Sequence, residues 1–476
     1  MQKFSNIHKN YFIMLFGNVF GQLMFFIAFT YLARTLGPAE FGMWNYSQIW
    51  MLFLIRVCEF GLEVVGVREV SRFQIETKKW IAIIVSTRLF LSLVVFTFFL
   101  ILIYVLNVFT NNIKSLMLIS AVTVFPMAFL MEWVLEAHQK FVLVSMARMF
   151  RGFLFFVFTY LWISSENQGE LAAFFYLLSI LLTCFALNFI VIRCFGFDWS
   201  SISISNGIGA LKKSSPIAIA ILLSHFSLYL PTIVVGHLLS KEELGFFSAA
   251  NRIVLFLWAY IVTSMQRVLL PPLSQSFSQS KSNFINFIKK FFRVVTLISI
   301  SIGLVVTFFG TFLMETLYSS RYQVSGTVLE IIIWGFVFYS IRYIFELALI
   351  VTEKNRLYIM GMLLLAISYL LLSPILTFYF GIIGTSTSIV VSEFVYLVYL
   401  IYVNTSVDRS FVFQNLLRIL TTSISIIILV KILVPKVIII QCALGLVLFI
   451  IILILSNSIY LQDLKSLLMR KKNGWE

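Results

Sequence analysis

Apolar runs of twenty or more residues follow one another from Tyr11 to Leu455, separated by short polar connections. A hydrocarbon layer of ~30 Å is crossed by ~20 apolar helical residues. Backbone polar groups have no water there, so each run has to be a helix that satisfies its own hydrogen bonds. The chain therefore reads as an all-α polytopic membrane protein of about fourteen transmembrane helices. The expected spans are 10–33, 43–67, 80–106, 116–135, 141–163, 171–192, 216–239, 245–270, 291–314, 325–351, 357–380, 381–403, 411–434 and 436–457. The connections leave no room for a soluble domain of ordinary size. That argues against a membrane enzyme with a large extracytoplasmic catalytic loop. The first run is too long for a signal-peptide core and is expected to stay in the mature protein.

The formal net charge of +15 would suit a polyanion partner, but its distribution argues for topology instead. With the N-terminus inside, 23 of the 35 Lys and Arg fall on the inner side, 6 on the outer side and 6 within spans. This is the positive-inside asymmetry, and it puts both termini in the cytoplasm. No nucleic-acid partner is expected. Three of the four cysteines, Cys58, Cys184 and Cys442, lie in apolar spans, and Cys194 lies at an inner edge. Neither they nor the scattered histidines have metal-ligand spacing, so no metal site is expected.

The chain also repeats itself. ARTLGPAEFGMWNYSQIW (33–50) and GHLLSKEELGFFSAANRI (236–253) align at an offset of 203, matching Leu36 with Leu239, Glu40 with Glu243 and Gly42 with Gly245. The glycine suits a tight turn at the outer surface. Both segments follow an odd-numbered span, so the repeat is parallel, about an axis along the membrane normal. The polar stretch 193–215 reads as a cytoplasmic linker. The expected organisation is an N-terminal lobe (1–192), this linker, a C-terminal lobe (216–403), and two extra helices with a basic cytoplasmic tail (404–476). Phe284, Phe287, Ile288 and Phe291 recur at helical spacing, with Lys289 and Lys290 opposite. This predicts a helix lying flat on the inner leaflet before the ninth span.

Ionisable groups inside spans are costly and by default mark a pathway or a pair. Arg56, Glu59 and Glu63 sit at i, i+3 and i+7 on one face of the second span; Arg342 and Glu346 sit at i, i+4 on the tenth. Such spacing allows pairing along one helix. Arg148 and Arg151 enter the fifth span, and Arg252 lies inside the eighth. Arg151 and Arg252 have no partner at helical spacing, which points to a polar cavity. Glu63, Arg88 and Glu132 are placed to snorkel toward the interface. Glu393, near the middle of the twelfth span, is either a proton carrier or a hydrogen-bonded packing group.

The order and spacing of several segments resemble the polysaccharide-type flippases of the multidrug/oligosaccharidyl-lipid/polysaccharide exporter superfamily. They are LGPAEFG (36–42), FGL (60–62), REVSR (68–72), LEAHQKFVLVSMARMFRGFLFFVFTYLWI (135–163), GHLLSKEELGFFSAANRI (236–253) and FGIIGTSTSIVVSEFVYLVYL (380–400). The resemblance covers nearly the whole chain and is weakest over the last two spans. It implies two six-helix lobes around a central cavity in the bacterial plasma (inner) membrane. It implies translocation of an undecaprenyl-diphosphate-linked oligosaccharide to the outer leaflet for O-antigen or capsule assembly, with polymerase machinery as a further partner. No enzymatic chemistry and no cofactor are implied beyond an ion gradient, of protons or sodium. Carried onto this chain, Arg56, Arg151 and Arg252 are the foremost cavity candidates, with Arg148 and Arg342 beside them. Glu59 and Glu393 are the ion-coupling candidates. Asn18, Gln22, Asn45 and Gln48 are polar groups that could select the sugar or simply pack. A drug or small-cation exporter of the same superfamily and a lipid II flippase are the competing readings.

Overall fold

The computed structural model describes residues 2–404, 409–433, 440, 444–445 and 447–449. The last expected span and the basic tail lie outside the described residues apart from those few positions. The helices are α1 (Gln2–Glu59), α2 (Leu62–Arg72), α3 (Thr77–Leu100), α4 (Asn111–Val122), α5 (Val124–Phe129), α6 (Glu132–Ala137), α7 (Phe141–Trp162), α8 (Gly169–Phe195), α9 (Ile204–Leu238), α10 (Lys241–Gln279), α11 (Lys281–Tyr318), α12 (Gln323–Val351), α13 (Asn355–Val403) and α14 (Arg409–Leu433). Among the described residues, ten stretches are long and apolar enough to cross a membrane. Two of them, within α1 and α13, each run through two of the expected spans: Val19–Glu59 covers most of 10–33 and 43–67, and Asn355–Val403 covers 357–380 and 381–403. They are interrupted at Gly37 (φ 73°) and Gly381 (φ 59°), a conformation glycine adopts without steric cost. Large apolar side chains such as Phe185 and Phe378 point outward, as they should against lipid.

The chain clusters into two compact units, Met1–Ser248 and Ala249–Glu476. In the first, α1 packs along α7 and α9. Gly17 and Gly21 line the α7 contact: a Cβ on Gly21 would stand 2.8 Å from the Arg148 carbonyl, and one on Gly152 would stand 2.5 Å from that of Gly21. Small residues let helix backbones approach where burial from water cannot drive packing. The apolar core of this unit lies where α2, α3 and α6 meet, around Trp80, Ile81, Ile84, Val65 and Trp133. In the second unit, α12 lies between α11 and α13.

Two local expectations change, the fourth span and the helix near 284–291. The fourth span is not one helix but α4, α5 and α6 in series, with Leu130 extended between the last two. α5 ends at Phe129, and carbonyls of this short helix find side-chain donors instead. Cys184 Sγ donates to Pro126 O at 3.2 Å, and Asn188 Nδ2 donates to Phe129 O at 2.8 Å. Such breaks are tolerated in membranes when protein groups re-satisfy the backbone. The polar stretch 193–215 is mostly ordered: Asp198 caps a 3₁₀ turn over Trp199–Ser201, and α9 begins at Ile204 behind the Ser203 cap. Hydrogen bonds from Ser200 and Ser201 hold the Asp198 carboxyl below its usual range. The separate surface helix expected near 284–291 is instead the start of α11, which Ser280 caps and which runs on unbroken to Tyr318. Phe284 and Ile288 are buried there rather than set against lipid head groups.

Candidate functional site: buried charge clusters

Among the described residues, three clusters of opposite charge lie between helices, two in the first unit and one in the second. The first joins α1, α2 and α3. Arg56 Nη1 meets Glu59 Oε2 at 2.5 Å, as the i, i+3 spacing allows. The helix then breaks at Phe60 and Gly61, both at positive φ, so Glu63 does not continue the same helical face. Arg88 unites the two carboxylates, at 3.6 Å from Glu59 Oε1 and 3.2 Å from Glu63 Oε1. It also donates to the carbonyls of Met127 at 2.8 Å and Leu130 at 3.3 Å, the backbone freed by the broken fourth span. Arg88 therefore does not snorkel: its side chain is 1% exposed. A guanidinium has five donors in a planar fork, enough to serve two carboxylates and two carbonyls at once.

The second cluster joins α6 and α7. Arg148 Nε donates to Glu132 Oε2 and its Nη2 to Glu136 Oε1, both at 2.8 Å. Arg151 Nη1 lies 3.6 Å from Glu132 Oε1. Arg151, expected to be unpaired, shares Glu132 with Arg148, and Glu132 is buried rather than interfacial. Glu136 escaped the sequence reading because it falls one residue beyond the expected span. Its i, i+4 spacing from Glu132 was the available signal.

The third cluster lies in the second unit, between α12 and α13. Arg342 pairs with Glu346 one turn along α12, and its Nε meets Glu393 Oε2 at 2.5 Å. Tyr369 donates its hydroxyl to Glu393 Oε1 at 3.1 Å. The guanidinium carbon stands 4.2 Å from the Tyr339 ring centroid and 4.5 Å from that of Tyr396. A cation against ring faces is attracted by the ring quadrupole. Arg342 is thus enclosed and fully engaged. The aromatic enclosure was not read from the sequence, although Tyr339 and Tyr396 each lie three residues from a cluster member.

Arg252, expected to be unpaired, sits half-buried on α10 and is also engaged in an interaction. Among the polar candidates, Asn45 and Gln48 are buried. Gln48 Nε2 donates to Ser120 Oγ at 3.3 Å, tying α1 to α4. Gln22 is exposed, and the Asn18 side chain lies outside the described residues. Among the described residues no group of three or more His, Cys, Asp or Glu is placed to hold a metal ion.

Arg56 combines two features that Arg88, Arg148 and Arg342 do not combine. Its side chain is 36% exposed, and its Nε is buried without a hydrogen-bond partner. Glu59, which it holds, is already compensated by Arg88. Arg88 stays within 3.6 Å of Glu59 and 3.2 Å of Glu63, so both carboxylates keep a cationic partner that does not involve Arg56.

The fold is similar to that of the lipid II flippase MurJ in an inward closed conformation. The TM-score is 0.76 at 14% identity, covering 93% of this chain and 98% of that one. It is also similar to an inward-facing multidrug resistance MATE family transporter of the MOP superfamily, at a TM-score of 0.64 and 14% identity over 79% and 92% of the two chains. In sequence the chain is 23% identical over 401 residues to the capsular polysaccharide biosynthesis protein CapF of Staphylococcus aureus, covering 82% of this chain and 97% of that protein. It is 22% identical over 382 residues to the putative O-antigen transporter of Escherichia coli strain K12, covering 77% and 89%. Residues 7–277 match the family described as polysaccharide biosynthesis protein, and the chain belongs to that family.

Proposed function

We propose that this protein is a flippase, not an enzyme, that carries a polyprenyl-diphosphate-linked oligosaccharide repeat unit from the cytoplasmic to the outer leaflet of a bacterial inner membrane. Its termini are on the cytoplasmic side, and an ion gradient of protons or sodium drives the cycle. The observation that carries this reading is Arg56, a guanidinium within the bundle that keeps an unused donor and partial exposure. Guanidinium matches phosphate oxygens bidentately and stays charged at any physiological pH. A sugar–diphosphate head group cannot cross hydrocarbon unaided, because its charges and hydroxyls would lose their hydration. A cavity that offers Arg56 and opens to each side in turn removes that barrier while the polyprenyl tail stays in lipid. Capsule and O-antigen relatives support the substrate class.

The likeness to MurJ keeps a lipid II flippase as the second reading. Both readings share the diphosphate carrier, so they diverge in the group that the carrier bears. A deletion strain separates them. Loss of surface polysaccharide, with intact lipid-linked units held on the cytoplasmic side and normal peptidoglycan, is the expected result. Lethality with halted peptidoglycan synthesis would favour lipid II. Normal polymer with altered dye or drug sensitivity would replace both readings with a small-cation exporter.

A further inference from the structure

The unused nitrogen of Arg56 has a counterpart on the facing helix. Within the first unit, α1 and α9 pack side by side. Two close approaches set their register. A Cβ on Gly236 would stand 2.4 Å from the Tyr46 ring, and one on Gly61 would stand 3.2 Å from the Ala218 nitrogen. Low numbers on one helix thus meet high numbers on the other, and the pair is antiparallel. Between those two points Arg56 falls opposite 223–225 of α9. The face is fixed as well. Ala218, His225, Tyr229 and Gly236 are spaced by seven, four and seven residues, so they form one stripe along α9. Both ends of that stripe touch α1 or the turn that ends it, so His225 lies on the face turned toward Arg56. His225 and Tyr229 are both within electrostatic reach of the Arg56 guanidinium.

His225 stacks on Tyr229, with ring centroids 5.5 Å apart and planes 28° from parallel, which fixes the plane of the imidazole. Its Nδ1 is buried, and among the described residues it has no hydrogen-bond partner. The same holds for Arg56 Nε. Both side chains are nonetheless partly exposed. A buried polar atom left unpaired is costly. The guanidinium Nε–H can only donate, and an imidazole N–H can donate beside it. Two donors on facing helices call for one acceptor that both can reach. A phosphate oxygen accepts several hydrogen bonds and carries the charge that a guanidinium favours. Arg56 already gives Nη1 to Glu59, so a second donor from α9 adds to what its fork can still offer. Stacking on Tyr229 accounts for the ring but not for the unpaired nitrogen.

We infer that His225 completes the head-group site of Arg56, its Nδ1–H donating to a phosphate oxygen that also accepts from Arg56 Nε–H. The ligand class is a lipid-linked diphosphate. This inference rests on the reading of Arg56 as the anion-binding group, and adds that the bound anion ties α9 to α1.

Equilibrium binding of tritiated farnesyl diphosphate to the purified full-length protein in nanodiscs, above that of empty nanodiscs, tests this. Wild type is compared with Arg56→Ala, His225→Phe and His225→Asn, each as the monodisperse fraction from size exclusion. Phenylalanine keeps a ring against Tyr229 and removes the donor. Asparagine removes the ring and keeps an N–H near the position of Nδ1. Arg56→Ala and His225→Phe should each weaken binding about tenfold or more, the worth of a hydrogen bond to a charged group. His225→Asn should stay within about threefold of wild type. Wild-type affinity in His225→Phe, or a loss in His225→Asn as large as in His225→Phe, would overturn the inference and leave the reading of Arg56 in place. Wild-type affinity in Arg56→Ala would remove that reading and the inference with it, as would an absence of saturable binding to wild type. Unlabelled geranylgeranyl diphosphate should compete, and inorganic diphosphate should do so about tenfold more weakly or worse, for want of an apolar tail. Equal competition would make the ligand a free anion and overturn the lipid-linked assignment.

Discussion

At the scale of single residues, Arg88 and Arg56 belong to one cluster but should fail differently. Arg88 is enclosed and serves two carboxylates and two backbone carbonyls. Arg88→Leu strands Glu63 and both carbonyls and leaves Glu59 to Arg56 alone, and removing one member of a buried pair costs about 3–5 kcal/mol. The detergent-solubilised variant should melt well below wild type in a thermal scan. Arg56→Ala removes the more exposed member of its pair and leaves the buried Glu59 with Arg88, so the loss should be smaller than for Arg88→Leu. That variant should accumulate normally yet fail to restore polymer in a deletion strain; restored polymer would take Arg56 out of the binding role. A third residue gives a pH signature. His138, in the turn between α6 and α7, stacks on Phe195 at 4.2 Å and meets Thr77 Oγ1 through Nε2 at 3.0 Å. Thr77 gives its own proton to Gln74 O, so the histidine donates. Burial, and then the Lys140 charge, lower its pKa below the ordinary 6.5. The unfolded chain therefore takes up a proton near 6.5, and the folded chain does so only at lower pH. Stability is complete above that value and declines as pH falls through the window beneath it. His138→Gln should flatten this part of the profile of melting temperature against pH.

At the scale of elements, the repeated glycines have a role other than the one their position in a turn implied. Gly37 takes the positive φ at the first bend. Gly42 and Gly245 are both helical, and they bring α1 and α10 into backbone contact. A Cβ on Gly245 would stand 1.9 Å from Pro38 O, and one on Gly42 would stand 2.6 Å from the Gly245 nitrogen. Neither obstacle is a flexible side chain. Gly245→Ala should therefore destabilise by about 1–3 kcal/mol, the usual range for overpacking. Gly209 is the control: it is exposed on α9 with nothing within 4 Å of its Cβ position. Gly209→Ala should be neutral or gain about 0.5–1 kcal/mol from helix propensity. Equal effects in a chemical-denaturation series would remove the close-contact account. The broken fourth span carries a similar lesson. No break was read from the sequence there, and the positions of Arg88, Cys184 and Asn188 show why one is tolerated.

At the scale of the whole molecule, the charge distribution makes a prediction of its own. Single cysteines at Ser320 and Lys114 should react with a membrane-impermeant maleimide from outside intact cells. Cysteines at Lys212 and Arg356 should react only after the cells are opened. Reversal of the two sets would invert the topology and with it the proposed direction of transport. The break at Gly381 fits the same pattern, since it lets the eleventh and twelfth expected spans run as one hairpin.

Hydropathy and charge by themselves determined that this chain is helical and polytopic, because hydrocarbon leaves the backbone few alternatives. The order of short motifs along the chain pointed to the family to which it belongs. Pairing along one helix was legible too, since Arg56–Glu59 and Arg342–Glu346 follow from helical spacing. Pairing between helices was not. Arg151 had no visible partner until α6 brought Glu132 to it, and Arg88 looked peripheral until three helices and a broken backbone closed around it. Arg342 belonged to a simple pair until α13 added Glu393 and two of the tyrosines. Spacing along a chain specifies which groups share a helix face. Which groups share a charge depends on which faces meet, and that only the tertiary structure decided.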